Sequence, residues 1–185
     1  MALSKPSEFL FDLVVSYMNN LYTSPLKTKA ITSCTLAVFG NYISQKIQGI
    51  QEVDGDSLVA FGLFGLLFGG PVPHFFYKYI YRFTKNPIAV LAIERLLYTP
   101  LFQALSLYMI SRFEGKLHEE SVRHTKLLYL PILMANWKYL TILHFINIRY
   151  VPPMLKTLMV NMIGLIWVIY LAKQRASKNN KRRQV

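Results

Sequence analysis

The chain has 185 residues, of which 53% are apolar and only 16% charged, with a mean hydropathy of +0.29. Its formal net charge is +12, and the charges fall in short segments between long, nearly uncharged ones. This patterning excludes an ordinary water-soluble domain and predicts an all-α integral membrane bundle, because a bilayer tolerates charge at its edges and penalises it in its middle.

Residues 1–172 read as one transmembrane helical domain and 173–185 as a basic, unstructured cytosolic tail. The opening MALSKPSEFLFDLVVSYM has one Lys before its apolar stretch, which Glu8 and Asp12 interrupt. It reads neither as a secretory signal nor as an Arg-rich presequence. Over 9–22, Phe9, Leu10, Leu13, Val14, Tyr17, Met18 and Leu21 recur at helical spacing, with Asp12, Ser16, Asn19 and Asn20 between them. The segment is expected to be an amphipathic helix, in the interface or packed on the bundle, ending at Thr23-Ser24-Pro25.

The first span is expected over 28–48, flanked by Lys27, Lys29 and Lys46. Ser33, Ala37, Gly40, Asn41 and Ser44 give it a small, partly polar stripe, suited to close helix packing or to lining a wet path. An acidic loop with Glu52, Asp54 and Asp56 follows. The second span, 58–81, is punctuated by Gly62, Gly65 and Gly69, candidate helix-packing positions, with Gly65 and Gly69 in small-xxx-small register. Those glycines could serve a homo-oligomer or a contact within one chain. Pro71 and Pro73 then break or kink the helix. The third span, 88–111, contains Glu94 and Arg95, with a further kink expected at Pro100.

A loop carrying both signs of charge leads to 127–148, long enough to span but interrupted by Asn136, Lys138, Thr141, His144 and Asn147. Val151-Pro152-Pro153 ends it, and a last span follows over 154–172. Four spans are clear; whether 127–148 also crosses decides the topology. Beyond the last span lie Lys173, Arg175, Lys178, Lys181, Arg182 and Arg183, with no acid among them. Their position next to a membrane helix predicts attraction to anionic lipid on the cytosolic side and no nucleic-acid role.

Ionisable groups inside spans mark candidate chemistry. Adjacent residues on an α-helix point about 100° apart, so Glu94 and Arg95 are not expected to pair with each other. Each needs water or a partner on another helix. They either line a solute path or fix helix packing. Asn136, Lys138, Thr141, His144 and Asn147 spread over a broad arc, as the wet wall of a cavity or as a surface-lying helix. The candidate pore-lining set is therefore Glu94, Arg95, Asn136, Lys138 and Asn147. Cys34 is the sole cysteine, and its small apolar neighbours predict an inert, packed thiol. His74, His118, His124 and His144 have no metal-ligand spacing, so neither a metal nor a cofactor is expected. No nucleophile elbow, phosphate loop or dinucleotide glycine pattern occurs, and the reading is non-enzymatic.

Several segments together carry a resemblance: YTSPLKTKAIT from Tyr22, FGNYISQ from Phe39, GPVPHFFY from Gly70, ERLLYTP from Glu94, FEGK from Phe113, NWKYLTILHFINIRYVP from Asn136 and WVIYLA from Trp167. The chain resembles the family of four-span proteins of the peroxisomal and mitochondrial inner membranes. Gly40-Asn41, FEGK and FINI favour the peroxisomal branch. Leu140 stands where that family has a second Trp, Thr141 and Ile142 where a Pro is usual, and His144 where a Gln is usual. The resemblance implies four spans, termini towards the cytosol, insertion by the peroxisomal membrane-protein import machinery, and a passive pore for small metabolites. A non-conducting scaffold, the equivalent mitochondrial channel and a membrane-embedded lipid enzyme stand as alternatives.

Overall fold

The structure, a computed structural model, describes residues 6–183, with side chains at 9 and 11–169. Apart from short loops, the described residues are helical: α1 (Pro6–Thr23), α2 (Pro25–Ile47), α3 (Gly55–Phe64), α4 (Pro71–Phe83), α5 (Pro87–Ile93), α6 (Thr99–Phe113), α7 (His118–Tyr150) and α8 (Lys156–Arg183). A π-helical turn, Gly65–Gly69, joins α3 to α4, and a second, Glu94–Tyr98, joins α5 to α6. The basic residues of 173–185 lie outside the described side chains.

Local chemistry sets the boundaries. Asp54 Oδ1 accepts from Ser57 N to open α3, and Asn86 Oδ1 accepts from Ile88 N to open α5, where Pro87 occupies the first turn. Gly49 and Gly115 take left-handed φ values of 78° and 81° in the loops after α2 and α6, a conformation that carries no Cβ penalty at glycine.

The π turns are where prolines meet a continuing helix. Pro71 and Pro100 supply no N–H, and an α-helical register would drive their rings into the preceding turn. In each case the residue just before the proline bonds one position further back: Gly70 N to Gly65 O, and Thr99 N to Glu94 O. Wide turns thus precede Pro71 and Pro100 inside runs that continue from Gly55 to Phe83 and from Pro87 to Phe113. Pro73 is fully buried within α4.

Those two runs are long and apolar enough to cross a membrane; the apolar part of α8, Lys156–Ile169, is shorter. By length and composition, therefore, two of the four expected spans stand out. The physical reason is visible in α2, which turns Lys29, Ser33, Asn41 and Gln45 into the bundle and so loses apolar character along its length. Other helices bury polar groups and expose apolar ones in the same way. Glu94, Arg95, His144, Asn147, Lys156 and Thr157 are buried, while Leu96, Leu97, Leu101, Ile88, Ile142 and Met134 are each more than 60% exposed. Polar groups inside and apolar groups outside is the arrangement expected when lipid, not water, is the solvent.

α2 and α3 run antiparallel in backbone contact. A Cβ at Gly65 would come within 2.6 Å of Ser33 O, and one at Gly70 within 2.5 Å of Ala30 Cα. Gly65 and Gly70 are thus the two points of backbone contact with α2. At Gly69 the nearest atom is an ordinary 3.6 Å away, and at Gly62 it is a valine methyl. The widened turn rotates Gly70, not Gly69, onto α2. Elsewhere Tyr77, Ile80, Val90 and Ile148 join α4, α5 and α7, and Leu140, Ile163 and Trp167 join α7 to α8. α1 meets α2 near their junction, with Leu21 buried, while Phe9, Phe11, Leu13 and Val14 remain exposed.

Candidate functional site: a buried ionic cluster at the end of an internal cavity

A cavity of about 260 Å³ lies between α2, α3, α6, α7 and α8. Most of its wall is apolar, from Leu36, Phe61, Phe64, Phe102, Leu140 and Ile163. The polar part of the wall comes from Ser33, Gln103, Ser106, Asn161 and, together at one place, Arg95, Asn136 and His144. Asn161 Nδ2 donates to the Ser33 hydroxyl, tying α8 to α2 beside it.

Behind Arg95 sits Glu94, with no exposed surface. Its Oε1 accepts from Arg95 Nη2 at 3.2 Å and from His144 Nδ1 at 2.5 Å. Arg95 Nη1 donates to Asn136 Oδ1 at 2.8 Å. The two neighbours on the chain therefore do pair, contrary to the expectation drawn from α-helical geometry. The π turn reduces the angle between successive side chains, and the long arginine can curl back to the carboxylate. Each also finds its partner on α7, as burial of charge in lipid requires.

Two further contacts repair what proline removes. In the π register, Arg95 O would bond the nitrogen of Pro100, which has no hydrogen; Trp137 Nε1 donates to it instead, at 3.1 Å. In the α register, Ile148 O would bond the nitrogen of Pro152. Lys156 Nζ donates there at 2.8 Å and to Asn147 O at 2.9 Å. Lys156 is 2% exposed, and its ammonium lies 5.1 Å from the Tyr81 ring centroid, so it closes the end of α7 as a buried cap. Asn147 Nδ2 donates to the Tyr77 hydroxyl at 3.1 Å, linking α7 to α4.

The candidate pore-lining residues separate accordingly. Arg95 and Asn136 reach the cavity, Glu94 supports them from behind, and Asn147 is buried in a different contact. Lys138 lies on the exposed face of α7, its ammonium 5.4 Å from the Tyr139 ring centroid and apart from the cluster. The inward face of α7 is Asn136, Leu140, His144 and Asn147, the spacing of one helical stripe. Sequence reasoning left His144, Gln103, Asn161, Tyr77 and Lys156 out of the set. A polar residue in an apolar run was the available signal for the first three. The role of Lys156 could be read from the orphaned carbonyl that Pro152 creates.

At the opposite end of α2, Asn41 Nδ2 donates to the Ser57 hydroxyl at 2.9 Å, and that hydroxyl donates to Glu114 Oε1 at 3.2 Å. Lys116 Nζ completes the clasp with Glu114 Oε2 at 2.7 Å. FGNYISQ and FEGK thus meet in space. Among the described residues no group of His, Cys, Asp and Glu is placed to hold a metal ion.

Residues 111–172, which include the inward face of α7 and the Lys156 cap, match the model of the Mpv17 / PMP22 family. The chain is 31% identical over 168 residues to "Peroxisomal membrane protein 2" of Bos taurus, covering 84% of this chain and 86% of the relative. It is 28% identical over 171 residues to "Peroxisomal membrane protein PMP22" of Arabidopsis thaliana, covering 87% and 88%. With "Mitochondrial inner membrane protein Mpv17" of Homo sapiens it shares 24% over 165 residues, 85% of this chain and 94% of the other. No solved structure matches the chain. With a relative above 30% identity aligned over most of both chains, and the family model falling on the helices that complete the ionic cluster, the chain belongs to the Mpv17 / PMP22 family.

Proposed function

We propose that the chain is a multi-pass, non-enzymatic protein of the peroxisomal membrane that lets small hydrophilic solutes cross passively through the interior of its helix bundle. The observation that carries this reading is the cavity whose mostly apolar wall is broken by Arg95, Asn136, His144, Gln103 and Asn161, inside a bundle that exposes many large apolar side chains. A solute there meets hydrogen-bonding groups in place of water, while the lipid-facing surface pays no polar cost. The peroxisomal assignment rests on the higher identities to relatives with that name, and the mitochondrial inner membrane is the alternative. The basic residues from Lys173 to Arg183 would then lie against anionic lipid at the cytosolic face. Insertion would use the peroxisomal membrane-protein import machinery.

A second reading is a non-conducting scaffold. It is favoured by the hydrogen bonds that join Glu94, Arg95, His144 and Asn136, which a purely structural lock would also show. Solute efflux from liposomes containing the purified full chain separates the two. A channel passes small polar solutes, loses most of that flux in Asn136→Leu and Gln103→Leu, and keeps it in Lys138→Gln, whose side chain is outside the cavity. Folded protein without flux supports the scaffold and contradicts the channel.

A further inference from the structure

Among the described residues two buried lysines have no carboxylate partner: Lys156, which two backbone carbonyls hold, and Lys29, outside that site. Lys29 on α2 is 6% exposed, and its Nζ donates to Nδ1 of His74 on α4 at 3.2 Å. Among the described residues no carboxylate oxygen comes within 4.0 Å of it; the ion pairs there are the two of Glu94 and the one between Lys116 and Glu114. An imidazole that accepts this bond is neutral and leaves the ammonium uncompensated, which buried charge does not tolerate well.

A third basic group joins them. Lys78 follows His74 by one helical turn on the same face of α4. Lys78 is exposed, so the three groups step from the surface inward. Their spacing is held by backbone contact, since Gly70 sits directly against Ala30. The depth is also informative. Lys29 lies one turn into α2, about 6 Å from its start. Nearby on α4, Phe75 and Tyr79 are stacked and exposed, and Arg82 lies over Tyr79, the composition of a membrane–water interface.

We propose that Lys29, His74 and Lys78 form a binding site for a phosphate group, seated between α2 and α4 and supplied either by an anionic phospholipid headgroup or by a free phosphate. A phosphate accepts several charge-assisted hydrogen bonds at once and provides the missing negative charge at the level where headgroups lie. The site is independent of the channel reading, because none of the three residues lines the cavity.

The test uses the purified, delipidated full chain in detergent, titrated with short-chain phosphatidic acid, short-chain phosphatidylcholine and inorganic phosphate. Binding is read by native mass spectrometry and by the shift in thermal unfolding. Saturable binding of phosphatidic acid without binding of inorganic phosphate assigns the site to lipid; binding of inorganic phosphate assigns it to the free anion. Lys29→Met and Lys78→Gln are each expected to weaken binding about tenfold, the loss of one charge-assisted contact. Lys27→Gln, which removes an exposed charge two residues from Lys29 and so on another side of α2, leaves it unchanged. Lys78 is exposed and its replacement leaves packing intact, so that variant decides the matter even if Lys29→Met fails to fold. Binding of none of these probes, equal binding of phosphatidylcholine, or undiminished affinity in Lys78→Gln overturns the proposal.

Discussion

Glu94→Ala destabilises the folded protein by about 3–5 kcal/mol, the expected cost of leaving a buried charge without its partner. The carboxylate has no exposed surface and receives both Arg95 and His144 on a single oxygen. Without it, the Arg95 guanidinium keeps Asn136 as a neutral partner and faces an apolar cavity wall. The diagnostic arm is the double variant Glu94→Met, Arg95→Met, which removes both charges and restores most of the lost stability. That rescue is what distinguishes a charge left stranded from a simple loss of volume. Denaturant unfolding of the detergent-solubilised protein measures both. A single variant within about 1 kcal/mol of the parent would mean that Glu94 is solvated and the cluster is not the sealed lock described above.

Gly70→Ala is expected to be the more disruptive of two adjacent and chemically identical substitutions. Its Cβ would lie 2.5 Å from Ala30 Cα and 2.7 Å from both Ala30 N and Lys29 O, all backbone atoms that no side-chain rotation can move. α2 and α4 must part, at a cost of about 1–3 kcal/mol or more for overpacking. At Gly69 the nearest atoms are 3.6 Å away, so Gly69→Ala fits and gains the higher helix propensity of alanine. Thermal unfolding midpoints for the pair should differ clearly, with Gly70→Ala lower. Equal midpoints would show that the π turn does not hold Gly70 against α2.

How far the sequence reveals this molecule depends on which physical signal is involved. The spans containing Glu94 and Gly65 are legible because long apolar runs and charge at their ends are direct consequences of bilayer solvation. α2 is less legible as a span, because its buried face carries Lys29, Ser33, Asn41 and Gln45. The pairing of Glu94 with Arg95 was hidden by an assumption of ideal α-helix. Pro100 forces a π turn five residues long, and angles counted at 100° per residue fail across it. The same proline logic, applied one step further, explains why Trp137 and Lys156 are where they are: each donates to a carbonyl that a proline leaves unbonded. Lys138 misled for the opposite reason. Its place in the middle of an apolar run says nothing about which face of α7 it occupies, and the inward stripe of Asn136, Leu140, His144 and Asn147 leaves it outside.

The central claim is that water and solute belong inside this bundle and lipid outside it. With Cys34 replaced by Ser, single cysteines at Gln103 and Asn161 on the cavity wall, and at Leu101 and Ile142, each 72% exposed on the outer surface, can be probed in liposomes with a charged, membrane-impermeant thiol reagent. The account predicts fast modification at 103 and 161 and little at 101 and 142. The reverse order, with 101 and 142 reacting and the cavity positions silent, would contradict it.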